Sequence, residues 1–147
     1  MKIAFYKGTH QGLPGLFNRA VRWWTRGPYS HTEAVFEQNA DGTYLCASSS
    51  KLDGGVRFKS IDISGPNWDV FEIAIADPAA SKQWFTDHVG CQYDVLGLLG
   101  FVIRRVEDDR NKYFCSEAVA TSIGVPEAWR FDPNTFAAAI RRVTVGA

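Results

Sequence analysis

The chain has 147 residues, with sixteen basic residues against sixteen acidic ones, 46% apolar content and 22% charged content. That size fits one ordinary domain, 1–147, with a substantial core, and that composition excludes a disordered chain. The even charge balance leaves no overall positive field to draw it to nucleic acid, and no nucleic-acid-binding motif accompanies it.

The N-terminal run Met1 to Gly8 lacks the long apolar core of a signal peptide. The longest apolar run, Val95 to Ile103, is too short to cross a bilayer. These features lead us to expect a cytoplasmic protein, unless another route exports it. Three cysteines, Cys46, Cys91 and Cys115, are an odd number at wide spacing and argue against a disulfide framework. No Cys-x-x-Cys or His-x-x-x-His pair suggests a zinc site, and no cofactor is implied.

In chain order, Ile3 to Tyr6 reads as a first strand. A helix follows from about Leu16 to Thr25. Leu16, Phe17, Ala20, Val21 and Trp24 recur at helical spacing, with Asn18, Arg19 and Arg22 on the other side. Trp23 and Trp24 are expected to pack inward, since large aromatics contribute through buried area. His10 lies in the glycine-rich loop between Gly8 and Gly15 and could rim a site.

Tyr29 to Phe36 looks like a strand, Asn39 to Gly42 like a turn of two or four residues, and Tyr44 to Ser49 like the return strand. Residues two apart share a face of a strand. Ala34, Phe36, Leu45 and Ala47 then form an apolar face. His31, Glu33, Cys46, Ser48 and Ser50 form a polar one. Arg57 to Ile63 and Val70 to Ile75 read as two more strands. Asp77-Pro78 starts a helix, with Asp as N-cap and Pro in the first turn, and Gly90 ends it. His88 in its last turn reads as structural. Val95 to Val102 suggests a short buried helix capped by Asp94, and 104–111 a charged loop. Trp129 to Phe131 reads as a packing segment, Asp132-Pro133 as the start of a last helix, and Val143 to Val145 as a short strand.

Lys112-Tyr113-Phe114 runs directly into a helix that Gly124 and Pro126 end. Cys115 therefore lies at the helix N-terminus, where unpaired N–H groups and the dipole favour negative charge. A thiol in such a place loses its proton more easily, and the thiolate is the nucleophile. Glu117, in the first turn, suits a capping role. His31 supplies the other half of a thiol–imidazole pair, with a third polar group needed to orient it. The chemistry of such a pair is acyl transfer.

Tyr29-Ser30-His31 followed by a hairpin, Tyr93-Asp94-Val95-Leu96-Gly97, and Phe114-Cys115-Ser116-Glu117 together resemble the circularly permuted NlpC-type papain-like hydrolases, in their YiiX-like and phage-associated branch. In that branch the histidine precedes the cysteine, as it does here. The resemblance extends from Ile3 to about Ile140. It implies an α+β fold: a small antiparallel sheet or half-barrel packed against helices, a permuted papain-like (cysteine-proteinase) fold. It also implies a thiol hydrolase acting on an amide or peptide bond, for example in peptidoglycan, with Cys115 as nucleophile and His31 as general base. The family places a polar orienter on the next strand, where this chain has Cys46. Glu33 and Ser48 are the alternatives, and Glu33 is preferred for its charge. An acyl-ester or lipid-acting thiol hydrolase or acyltransferase is a second reading, and a non-catalytic binding or phage structural module a third.

Overall fold

A computed structural model describes residues 1–9, 11–74, 76–94 and 112–144. Among these residues the protein is α+β, with a curled, mixed seven-stranded sheet forming a half-barrel and four α-helices. The strands are β1 (Lys2–Tyr6), β2 (His31–Gln38), β3 (Tyr44–Ser50), β4 (Gly55–Ile61), β5 (Trp68–Glu72), β6 (Gln92–Tyr93) and β7 (Lys112–Tyr113). Their order across the sheet is β5-β1-β2-β3-β4-β6-β7. The helices are α1 (Leu13–Trp24), α2 (Pro78–His88), α3 (Cys115–Ser122) and α4 (Pro133–Thr144), with a short 3-10 turn at Ala128–Arg130. An antiparallel sheet was expected, but β6 and β7 pair in parallel, Gln92 with Lys112 and Tyr93 with Tyr113.

The predicted hairpin forms, with Ala34 opposite Ala47 and Val35 opposite Cys46. Its loop has five residues and not two or four, closed by Asn39 N–H donating to the Thr43 carbonyl at 2.8 Å. A bulge between Val35 and Glu37 sets Leu45 opposite Glu37 and not Phe36. An extra residue of this kind bends the strand and strengthens its twist. β4 begins two residues earlier than expected, at Gly55, and β5 is Trp68–Glu72, ending short of the expected Ile75.

One face of the sheet carries the main core. Ile3, Phe5, Ala34, Ala47 and Val56 pack there against Ala118, Val119 and Ala120 of α3 and Phe136, Ala137 and Ile140 of α4. Phe5 is fully buried, with ring centroids 5.3 Å from Tyr29, 5.7 Å from Phe71 and 5.9 Å from Phe136. Burial of a side chain of that size stabilises by about 1.5–3 kcal/mol. α3 is rich in Cys, Ser and Ala and nearly all its residues are buried. Small side chains let its backbone approach the sheet closely. The opposite face holds a smaller cluster of Ala4, Val35, Cys46 and Ile63 beside Trp68. The face expected to be polar is therefore polar only toward its His31 end.

Several local expectations meet their residues directly. The Asp77 carboxylate accepts from Ala79 N–H at 2.9 Å, capping α2. Gly124 follows α3 in the left-handed region, φ 79°, and its N–H reaches the Thr121 carbonyl at 2.9 Å. His88 bonds the Trp84 carbonyl at 2.7 Å and stacks on the Trp84 ring, a structural placement. Three expectations are corrected. α1 starts a turn earlier, at Leu13, and buries Gly15, Asn18 and Val21. Asn18 is thus inside, and Leu16, Ala20, Trp23 and Trp24 are outside. The Trp pair does not pack inward because Asn18 takes the buried stripe, its Nδ2 donating to Ser30 Oγ at 2.8 Å. The C-terminal strand is absent through Thr144, since α4 continues helically to that residue. In the 129–131 segment Trp129 is half-exposed beneath the Arg130 guanidinium, and only Phe131 joins the core. The expected Val95–Val102 helix, the 104–111 loop, His10 and Val145 lie outside the described residues.

Gly55 makes the junction of β4 with β6 possible. Its φ is 146°, and a methyl group there would stand 2.0 Å from the Cys91 carbonyl oxygen. That carbonyl accepts from Val56 N–H at 2.8 Å, so it cannot move away without loss. Gly55→Ala is expected to cost roughly 2 kcal/mol or more in urea unfolding. Gly54→Ala, where φ is also positive but nothing lies within 4 Å, is expected to cost only about 1 kcal/mol.

Candidate active site

Two chain segments meet where β2 and α3 both begin. His31 is the first residue of β2 and Cys115 the first of α3. By strand alternation His31 and Glu33 lie on the face opposite Ala34, whereas α3 packs against the Ala34 face. The pair therefore meets at the end of the sheet and not across its middle.

Each partner is anchored through its neighbours. Before His31, Asn134 of α4 holds the backbone of Tyr29 from both sides. Tyr29 N–H donates to Asn134 Oδ1 and Asn134 Nδ2 donates to the Tyr29 carbonyl, each at 2.9 Å. Nδ2 also donates to Thr25 Oγ1 at 2.6 Å. Gly27 leaves room for this, since a methyl group there would lie 2.2 Å from Asn134 Oδ1. Ser30 Oγ accepts from Asn18 Nδ2 of α1 at 2.8 Å. Before Cys115, Ser49 Oγ of β3 donates to the Tyr113 carbonyl at 2.5 Å. The Phe114 N–H donates to Glu117 Oε2 at 3.2 Å, which gives Glu117 its expected capping role.

The three residues singled out in the sequence come together. The His31 Nε2 lies 2.7 Å from Glu33 Oε1, and the Cys115 sulfur is near enough to the ring to favour its charged form. Glu33 thus occupies the Nε2 side of the ring. Burial works against the charged imidazole, but the Cys115 sulfur and the Glu33 carboxylate outweigh it and raise His31 to about 9. Burial also opposes ionisation of Glu33. Arg57 and His31 outweigh it, so the carboxyl lies below its ordinary range.

Arg57 is the residue that sequence reasoning missed. It stands on β4 and grips Glu33 with two bonds, Nη2 to Oε1 at 2.6 Å and Nη1 to Oε2 at 2.8 Å. Ser48 sits opposite Arg57 in the register, and continuing the Ala34–Ala47 pairing puts Ser48 beside Glu33. A small residue on β3 is what lets the guanidinium cross to β2. The Ser48 hydroxyl is turned into the backbone, donating to the Thr32 carbonyl at 2.6 Å, and leaves His31 to Glu33. Arg57 is itself held by Asp53, Nε to Oδ2 at 2.9 Å. Asp53 also takes Lys59, and these two cations outweigh its partial burial to bring its carboxyl down to about 2. Cys46 is fully buried in the apolar cluster, and burial, with Glu33 adding, pushes its thiol up to about 12. It is an inert core residue and not an orienter.

A cavity of about 560 Å³ opens on this face, lined by Phe17, Asn18, His31, Glu33, Arg57 and Tyr93 among others. Cys115 is not part of its lining and is only 1% exposed. Burial, followed by the neighbouring Cys115, Asp94 and Glu117 charges, raises the Tyr93 phenol well above its ordinary value. Tyr93 is therefore a neutral hydrogen-bond donor in the cavity wall, and only its place in the motif hinted at it. Asn18 Oδ1 is buried without a partner among the described residues. No family model matches the chain, and no curated protein is significantly similar to it.

The Glu33 carboxylate is fully buried, so removing its cation exposes the full cost of burial. Arg57→Met is expected to destabilise by about 3–5 kcal/mol in urea unfolding. The double variant Glu33→Gln with Arg57→Met should recover part of that loss. The Glu33 pKa is depressed in the folded state, so its contribution is complete above its unfolded value, about 4.5. It is lost as pH falls through the lower folded value, and Glu33→Gln should flatten the acid limb of the stability profile.

Proposed function

We propose that the protein is a thiol hydrolase with a permuted NlpC-type, papain-like catalytic arrangement, cleaving an amide or peptide bond. The observation that carries this reading is the Glu33 carboxylate 2.7 Å from Nε2 of a His31 ring that also has the Cys115 sulfur as a charged neighbour. A buried carboxylate on Nε2 fixes the ring and stabilises imidazolium, as the third member of a triad does. Cys115 attacks the carbonyl carbon as thiolate, and the imidazolium donates its proton to the departing amine. Water then attacks the thioester, giving a proton to His31 and releasing the acid and the thiolate. The Cys115 backbone N–H, which as the first helical amide has no acceptor within the helix, supports the developing oxyanion. Peptidoglycan-derived peptides are the proposed substrate class, with acyl esters as the competing one. Muropeptides and acyl thioesters, offered side by side, separate the two.

One observation favours a non-catalytic binding or phage structural module, namely the 1% exposure of Cys115. Iodoacetamide labelling against pH decides between the readings. For a hydrolase, Cys115 alkylates well below neutral pH, and His31→Ala confines the reaction to about pH 8–9, where an unperturbed thiol ionises. A wild-type profile already confined to that range, and indifferent to His31→Ala, supports the module.

Activity carries a further signature. His31 holds its proton up to about 9, so kcat/KM is expected to fall on the alkaline side near that value. Glu33 is one of the groups that raise it, so Glu33→Gln should move the alkaline limb to lower pH. Cys115→Ala should abolish turnover.

A further inference from the structure

α1 has two apolar sides, and the fold uses one of them. Gly15, Asn18 and Val21 face inward. Leu13, Leu16, Ala20, Trp23 and Trp24 recur at spacings of three and four along the outer side, with Leu13 82%, Leu16 63%, Trp23 76% and Trp24 43% exposed. The two indoles touch only each other among the rings described, with centroids 6.0 Å apart. Leu52, also 63% exposed, adds an apolar residue at the cavity that Phe17 and Asn18 of the same helix line.

Charge is distributed unevenly around this stripe. Residues 1–32 carry Lys2, Lys7, Arg19, Arg22 and Arg26 and not one Asp or Glu, although the whole chain is neutral. Lys7 is paired with Asp69, and Arg22 is bonded to the Lys7 and Gly8 carbonyls and to Thr9. Arg19 on α1 and Arg26 just beyond its C-terminal end are exposed and have no ion-pair partner among the described residues. Arginines beside an outward apolar face of Leu and Trp are the pattern of a helix lying in a membrane interface. Indole rings prefer that depth, where one edge is wet and the other apolar.

We propose that α1 docks the protein on a bilayer containing anionic phospholipid, with its axis along the surface and Leu13, Leu16, Trp23 and Trp24 in the acyl boundary. Arg19 and Arg26 meet the headgroup phosphates. A second copy of the chain fits the same face less well, because stripe-to-stripe pairing sets two like-charged arginine rims together. The docked helix brings the cavity it lines to the headgroup layer. The proposal is independent of the thiol chemistry, and its test involves no catalysis.

The test is cosedimentation of the full chain with vesicles of phosphatidylcholine alone or enriched in phosphatidylglycerol. Binding is expected to the anionic vesicles and to weaken with salt. Leu13→Gln with Trp23→Gln should lower partitioning about tenfold or more, and Arg19→Glu with Arg26→Glu should remove the preference for phosphatidylglycerol. Tryptophan quenching of the wild type by brominated phospholipid reads insertion without relying on a destabilised variant, and Trp23→Phe with Trp24→Phe should abolish it. Failure to sediment with anionic vesicles overturns the proposal. So does binding that these substitutions leave unchanged. So, too, does a dimer in sedimentation velocity that Leu13→Gln with Trp23→Gln dissolves while no vesicle binding is seen.

Discussion

A carboxylate with no access to water sits at the centre of the half-barrel, and the surrounding arrangement answers to it. Glu33 is 0% exposed, and an isolated buried charge of that kind is costly enough to unfold a domain of ordinary stability. Two cations offset the cost, the His31 imidazolium and the Arg57 guanidinium, which share Oε1. The requirement spreads outward. β4 must stand at a register that presents Arg57, β3 must offer a small residue for it to pass over, and Asp53 must hold the guanidinium from behind. The histidine is left with its Nε2 committed to the carboxylate and with the Cys115 sulfur as its other charged neighbour.

The division of the sheet into two faces explains how a helix on one side reaches a histidine on the other. α3 is packed against the apolar side by small residues, while the polar chain His31–Glu33–Arg57 runs along the other. Only at the strand origin can the two meet, and both Cys115 and His31 are first residues of their elements. Short, specific bonds fix those origins: Ser49 to the Tyr113 carbonyl on one side, Asn134 to the Tyr29 backbone on the other.

What the sequence disclosed and what it hid follow from the range of the forces concerned. Alternation along 31–36 and 44–50 places His31, Glu33, Cys46 and Ser48 on one face, although the five-residue loop alone would put the strands out of step and only the bulge between Val35 and Glu37 restores the parity. The Asp77 cap and the Gly124 stop are local chemistry. Arg57 was invisible because its partner lies across an intervening strand, and a charged residue in a strand reads as solvated until its neighbours are known. Asn18 misled the reading of α1 for a related reason. Its burial depends on Ser30, twelve residues away, and once it took the inner stripe the tryptophans had to face out. The parallel pairing of β6 and β7 could not be seen either, since two-residue strands carry no periodicity.

Asn134 belongs to the last helix of the chain, yet it secures the turn that delivers His31 near the first quarter. A chain without α4 therefore lacks the two bonds that hold the Tyr29 backbone just ahead of the imidazole. The seat of the imidazole thus rests on a contact that reaches across 105 positions of the chain, whereas the hairpin that carries it is closed by its own neighbours.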